Sequence, residues 1–164
     1  MTSLLFGNGA PMKQMRRQDR ALSAEETTAL LDMGEYGVLS TVDQVGQPYG
    51  VPLSYVYKND AIYFHSALTG HKLDNIEDNV KVSFCVVGKT HVLQEKFSTE
   101  YESAILFGTA SEVVGAEKRN ALIWLLEKYC PDFMTEGRVY LNKAEETTQV
   151  IKIQVARVSG KARR

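Results

Sequence analysis

The sequence predicts a mainly β (α+β) fold, an antiparallel β-barrel with flanking helices. Three observations predict it. From Gly37 onward, apolar and polar residues alternate with the two-residue period of strands. The strand-like runs are joined by hairpin-length links, which implies antiparallel pairing. Six or seven such runs can be counted, and that many antiparallel strands close on themselves to remove exposed edges.

The elements follow in chain order. Residues 1–15 form a leader containing Gly7, Gly9 and Pro11, and residues 16–164 form a single domain. The GNG at Gly7–Gly9 follows no strand and opens no helix, so it is not a dinucleotide fingerprint. Ser23 and Glu26 have the spacing of a capping box, which predicts a helix to about Met33, ended by Gly34. Val38–Val42 is a first strand and Asp43–Pro48 a turn. Tyr49–Tyr57 is a second strand with Pro52 inside it, which marks an edge, a bulge or a place where backbone meets a ligand. Lys58–Asn59–Asp60 turns the chain into a third strand, Ala61–Ser66. A short helix over about His71–Asp78 buries Leu73 and Ile76. Val80–Gly88 continues the sheet, extended by His91 to about Lys96, and Glu102–Val114 adds another strand. Glu117–Cys130 is the third helix, with Leu122, Trp124, Leu125, Leu126 and Tyr129 on or near an apolar stripe. Thr147–Val158 is the last strand, and Arg16–Arg20 and Lys161–Arg164 are solvated basic tails.

Composition narrows the function classes. The chain has 164 residues, 44% apolar and 24% charged, with a formal net charge of −1. No global field draws nucleic acid or an anionic membrane, so any anion site is local. No apolar run reaches the roughly 20 residues that cross a bilayer. Cys85 and Cys130 lack CxxC spacing, which fits reduced thiols and a cytoplasmic setting. GxSxG, HExxH, Walker A and GxGxxG motifs are absent, and His65, His71 and His91 show no metal-ligand spacing.

The segment Ile62–Asn75 carries the strongest chemical signal. A strand ends at His65 and Ser66, a turn supplies Ala67, Thr69 and Gly70, and a helix opens with His71 and Lys72. A helix start offers free N–H groups and the positive end of its dipole, so it attracts anions. One reading is a plain helix start with Thr69 as cap and His65 a satisfied core histidine. The other is a phosphate cradle, with a hydroxyl from Ser66 or Thr69, N–H donors at Gly70 and His71, and charge from Lys72. Beside it, the ladder interrupted at Pro52 in Val51–Ser54 frees backbone groups that would bind a planar heterocycle, or it is simply an edge. Trp124 packs in a core or a dimer by default, and stacking on a ligand is the alternative.

These segments together resemble the flavin-binding split β-barrel proteins related to pyridoxamine 5′-phosphate oxidase, most closely the nitroimidazole-resistance (Nim-like) branch. The carrying motifs are MRRQDRALS at Met15–Ser23, GQPYGVPLSYVY at Gly46–Tyr57, IYFHSALTGHKLDNI at Ile62–Ile76 and ILFGTASEV at Ile105–Val113. The resemblance implies a six-stranded split barrel and a homodimer with two FMN sites at its interface. It implies that Val51, Pro52, Leu53 and Ser54 face the isoalloxazine ring. His65, Ser66, Ala67, Gly70, His71 and Lys72 would lie about the phosphate, with Ser103 and Trp124 as further cofactor contacts. Ser66, His71 and Lys72 are the nearest equivalents of the oxidase branch's serine-arginine-lysine run. Tyr49 and Ser103 stand where that branch has an arginine and a glutamine. These departures point away from pyridoxamine phosphate oxidation and toward an FMN-dependent reductase of small compounds, nitroaromatic ones among them, with NAD(P)H as a candidate electron donor. His65 and His71 are the candidate proton carriers. The alternatives are a non-catalytic flavin- or haem-binding barrel, with His65 or His91 as axial ligand, and a dimeric interaction domain.

Overall fold

The computed structural model describes residues 14–164. The leader expected over residues 1–15 lies outside the described residues up to residue 13. Seven strands form one antiparallel sheet: β1 (Gly37–Val42), β2 (Pro48–Leu53), β3 (Val56–Lys58), β4 (Ala61–Ser66), β5 (Lys81–Leu93), β6 (Ser98–Val113) and β7 (Gln149–Arg163). Four α-helices accompany them: α1 (Ala24–Met33), α2 (His71–Asp78), α3 (Gly115–Tyr129) and α4 (Met134–Ala144).

The strand order is β2-β1-β5-β6-β7-β4-β3. The edges of the sheet are therefore β2 and β3, and they are consecutive in the chain. Only Ser54 and Tyr55 separate them, so the two edges stand within roughly 11 Å of each other, the reach of three residue steps. The sheet must curl until its ends meet at this corner, yet no ladder joins them. This is a split barrel. The count is seven strands and not six because the single strand expected over Tyr49–Tyr57 is two, broken at Ser54–Tyr55. No turn residue announces that break.

Alternation along the strands builds two cores. Leu39, Ile62, Phe64, Val82, Phe84, Val86, Leu106, Ile151 and Ile153 fill the interior, and α1 adds Leu30 and Leu31 while α2 adds Ile76. On the outer face, Ala61, Tyr63, Val113 and Val150 pack under Ala121, Leu122 and Leu125 of α3. Burying side chains of this size stabilises the fold by about 1.5–3 kcal/mol each. Ser23 accepts from the Glu26 N–H at 3.1 Å and Glu26 reaches back to the Ser23 N–H at 2.9 Å. The expected capping box thus starts α1, and Gly34 ends it.

Several boundaries differ from the sequence reading. Gly115 opens α3 and α4 is an additional helix. The segment Lys161–Arg164, expected as a solvated tail, is mostly strand. β7 runs on to Arg163, pairing Lys161 with Ser103 and Arg163 with Tyr101. Arg164 bonds Glu26 at 2.8 Å and Glu102 at 3.2 Å. Gly108 sits where the β6–β7 register shifts, and a Cβ there would lie 2.4 Å from the Gln154 carbonyl oxygen. No helix among the described residues is long and apolar enough to cross a membrane.

Candidate functional site

The end of β4 and the start of α2 are joined by Ala67, Leu68, Thr69 and Gly70. Gly70, not Thr69, is the N-cap of α2, and no side chain caps the helix. Gly70 has φ 145°, which a side chain would strain, and a Cβ built there meets nothing within 4 Å. The turn is therefore open in front of the helix N-terminus, and its first N–H groups lack an intrahelical partner.

Three contacts fix the place of α2. Leu73 and Ile76 pack against the barrel interior. The Asn75 amide donates to Thr41 Oγ1 of β1 at 2.9 Å, and both residues are buried. The His71 ring stacks on Tyr49 of β2, centroids 4.1 Å apart at 29°. The two positions where the resemblance marks a lost arginine are thus brought together as a stacked pair.

Beneath the turn lies an unsatisfied polar pair. Ser66 is 5% exposed, and its Oγ has no hydrogen-bond partner among the described residues. Directly across the β4–β7 ladder is Gln149, whose buried Oε1 also lacks one. A buried polar atom without a partner costs about 1–3 kcal/mol, so native proteins supply one, from protein, water or ligand. Sequence reasoning singled out Ser66 but missed Gln149. The signal for Gln149 is the register Ser66↔Gln149, which exists only once the strands are paired.

Lys72 is half-buried and His71 exposed. His65 points to the opposite face of β4 from Ser66 and is exposed. Partial burial of its ring, and next the Lys72 ammonium, hold its pKa below the ordinary histidine value. Solvent screens both effects, so they set a protonation preference and not a stability contribution. Trp124 meets the Tyr63 ring edge-on at 5.4 Å. Tyr63 and His65 share a face of β4, so Trp124 sits near the same end of the outer surface.

The residues of β2 divide between the faces. Val51 and Leu53 pack on the interior core, while Pro52 is exposed, as is Ser54 just beyond the strand. Pro52, Val38, Cys85, Ile105 and Ser159 form one row across five strands. In the adjoining rows of β5 and β6 stand Val87, Ser103 and Phe107. Ile105 is 41%, Phe107 44% and Val87 46% exposed, a continuous apolar stripe on the outside of the barrel. Ser103 lies at its border, away from the turn at 65–72. A cleft of about 490 Å³ at the far end of β7 is lined by His91, Tyr101 and Arg163, among others. It contains none of the convergent unsatisfied groups found at the turn. No cluster of metal-ligating side chains occurs among the described residues.

Comparison with known proteins agrees with this geometry. A candidate 5-nitroimidazole antibiotic resistance protein from Bacteroides thetaiotaomicron is 24% identical, with 87% of this chain and 86% of that one covered and a TM-score of 0.75. A conserved hypothetical protein from Mycobacterium tuberculosis is 18% identical over 90% of each chain, with a TM-score of 0.77. A flavocytochrome from Azotobacter vinelandii is 22% identical over 92% of this chain and 72% of its own, with a TM-score of 0.76. At these identities the likeness shows the fold. No curated protein matches the chain. The family model described as pyridoxamine 5′-phosphate oxidase matches residues 23–162, nearly the whole described chain. The protein belongs to the pyridoxamine 5′-phosphate oxidase-related family, with a nitroimidazole-resistance-like protein among its structural relatives.

Proposed function

We propose that the protein binds FMN, with the phosphate at the turn 66–72, and acts as an FMN-dependent reductase of small compounds, nitroaromatic ones among them. The observation that carries this reading is the buried, unpartnered Ser66 Oγ below an uncapped helix N-terminus that Gly70 leaves open. The residues fit the group. Ser66 Oγ would donate to a phosphate oxygen, and the first N–H groups of α2 would donate beside it. Lys72 supplies the charge, and a charge-assisted bond of this kind contributes about 1.5–3 kcal/mol. Pro52 has no N–H, so β2 cannot extend its ladder there, and the backbone of Val51–Ser54 is left to orient a planar ring. When bound, FMN supplies hydride acceptance and transfer to a substrate. His71, held by its stack on Tyr49, and His65, biased toward its neutral form, would each hold a proton at a ring nitrogen near the substrate.

The reading includes a homodimer with the two flavin sites at its interface. The apolar stripe of Val87, Ile105 and Phe107, bordered by Ser103 and Pro52, supports it, because a contiguous exposed apolar patch marks an interaction surface. NAD(P)H is the proposed electron donor. Freshly purified protein is expected to be yellow, and titrated FMN fluorescence to be quenched with saturation. Colourless protein that leaves added FMN unquenched rejects the reading. Anaerobic bleaching of the bound flavin by NADH or NADPH tests the enzyme claim, and no bleaching with either leaves a non-catalytic flavin carrier. A second reading is haem binding through His65, which stands at an exposed position with its pKa held low. A Soret band that shifts in His65→Ala would replace FMN with haem.

A further inference from the structure

The break between β2 and β3 has a holder that lies outside the sheet. β2 ends at Leu53 and β3 begins at Val56, so the Tyr55 peptide groups fall where the ladder has stopped. Their partner is the hydroxyl of Tyr129, in the last turn of α3. Tyr129 Oη accepts from the Tyr55 N–H at 2.9 Å and lies 2.9 Å from the Tyr55 carbonyl oxygen. It also lies 2.7 Å from the Glu35 carbonyl oxygen, just after α1. Its single proton serves one carbonyl at a time, so the hydroxyl is a three-way node between α1, α3 and the break.

The ring of Tyr55 is held as well. It is fully buried, its Oη donates to the Leu31 carbonyl at 2.6 Å, and it meets Phe84 edge-on at 5.0 Å. The Lys128 ammonium stands 4.0 Å over its face and 5.5 Å over that of Tyr129. Adjacent residues of α3 therefore grip Tyr55 from two sides, Tyr129 by its peptide and Lys128 by its ring. Ser54, one residue earlier, is exposed, and its side chain also interacts with the Tyr129 hydroxyl. Its backbone leads directly into the Tyr55 peptide that Tyr129 holds.

We infer that Tyr129 is a positioning residue for the cofactor: it sets the backbone of Val51–Ser54 through the Tyr55 peptide. The inference rests on the proposed FMN reading. A merely structural role is the competing account, and Tyr63 supplies the control. Tyr63 pairs with Val56, but its Oη donates to Glu117 Oε1 at 2.9 Å near the other end of α3, so Tyr63→Phe removes a comparable helix-to-strand bond without touching the Tyr55 peptide.

The experiment measures FMN dissociation constants, flavin midpoint potentials and thermal midpoints for wild type, Tyr129→Phe and Tyr63→Phe. Tyr129→Phe is expected to weaken FMN binding about 3- to 10-fold, the equivalent of one neutral hydrogen bond, and to shift the flavin potential. Tyr63→Phe is expected to lower the thermal midpoint comparably while leaving both flavin quantities at wild-type values. Equal flavin effects in both variants, or none in Tyr129→Phe, overturn the positioning role. If Tyr129→Phe fails to fold, Tyr129→Trp and amide exchange at Tyr55 in wild type take its place. A Tyr55 amide that exchanges as fast as an unprotected amide then rejects the hold. If wild type itself binds no FMN, the proposed function falls and this role falls with it. Wild-type binding with unresponsive variants removes this role alone.

Discussion

Helices α2 and α3 each cover part of the same sheet, and they leave very different ledgers of polar groups. The first half of α3 satisfies what it meets. Tyr63 Oη and Lys152 Nζ both donate to Glu117 Oε1, at 2.9 and 3.0 Å, over an apolar seam of Leu122, Leu125 and Val150. At the start of α2 the ledger is open. Its N-cap is Gly70 with no capping side chain, and the Ser66 hydroxyl and Gln149 Oε1 below it are buried without partners among the described residues. Yet α2 is not loosely attached, because Asn75, Ile76 and the Tyr49–His71 stack hold it. Rigid placement combined with unmet hydrogen bonding is what a preorganised binding site needs. Completed hydrogen bonding is what a structural contact needs. The difference separates a helix that closes a core from a helix that waits for a ligand.

The harshest way to break this comparison is to remove the floor under the open site. Phe64 is fully buried, two residues before Ser66 on the same face of β4. Phe64→Ala is expected to destabilise by about 3–5 kcal/mol, the transfer loss plus the cavity, read as a drop in the urea midpoint. A loss below about 1 kcal/mol would mean that this face of β4 is not core, and the burial argument for Ser66 would go with it.

A milder change separates binding from folding. Lys72→Ala removes the charge at the turn but no core contact. FMN binding is expected to weaken by about 1–3 kcal/mol, roughly 5- to 150-fold, with an unchanged thermal midpoint. An unchanged dissociation constant would move the phosphate elsewhere. A lowered thermal midpoint would make Lys72 a structural residue and erase the contrast between the two helices.

How much of this was legible in the sequence depended on the range of the contacts. The capping box at Ser23 and Glu26, the hairpin at Lys58–Asp60 and the helix start at His71 are local. Their signals lie within a few residues and were read correctly in kind. The break at Ser54–Tyr55 was not, because Ser-Tyr-Val carries no turn chemistry. The partner of the Tyr55 N–H there is a hydroxyl 74 residues later, a contact that no local signal announces. Helix α4 was missed because Gly137 interrupts it and Val139 and Tyr140 are exposed, which weakens any apolar stripe. The end of β7 looked like a basic tail because Lys161 and Arg163 dominate its composition. Pairing with β6 makes it a strand. The site divides in the same way. Ser66, Gly70, His71 and Lys72 are contiguous enough to be noticed, whereas Gln149 and the Tyr49–His71 stack arise only from tertiary pairing.

Lys128 is the exception that sharpens the contrast, for it is an unmet group on α3. Its Nζ is buried and has no hydrogen-bond partner among the described residues. Burial pushes its pKa down to about 8; Asp32 opposes that shift and Lys58 adds slightly to it. The rings of Tyr55 and Tyr129 act the other way, since a cation over an aromatic face is stabilised. Below pH 8 the lysine is charged in both folded and unfolded chains, and the folded chain bears the full desolvation cost. Between about 8 and the ordinary lysine value the folded chain is neutral and the unfolded chain still charged, so this group makes the fold more stable as pH rises. The raised pKa values of Tyr55, Tyr57 and Tyr129 oppose that trend only above about pH 10, where unfolded tyrosines ionise. Lys128→Met is therefore expected to stabilise the protein at pH 7 by about 1 kcal/mol, after discount for partial exposure and the ring contacts. That advantage should shrink from pH 8 to 10 as wild type gains. Urea unfolding of both proteins at pH 7, 8.5 and 9.5 measures it. A Met variant less stable at pH 7 would show that the two rings outweigh desolvation. Lys128 would then be a satisfied cation, and α3 would have no open account at all.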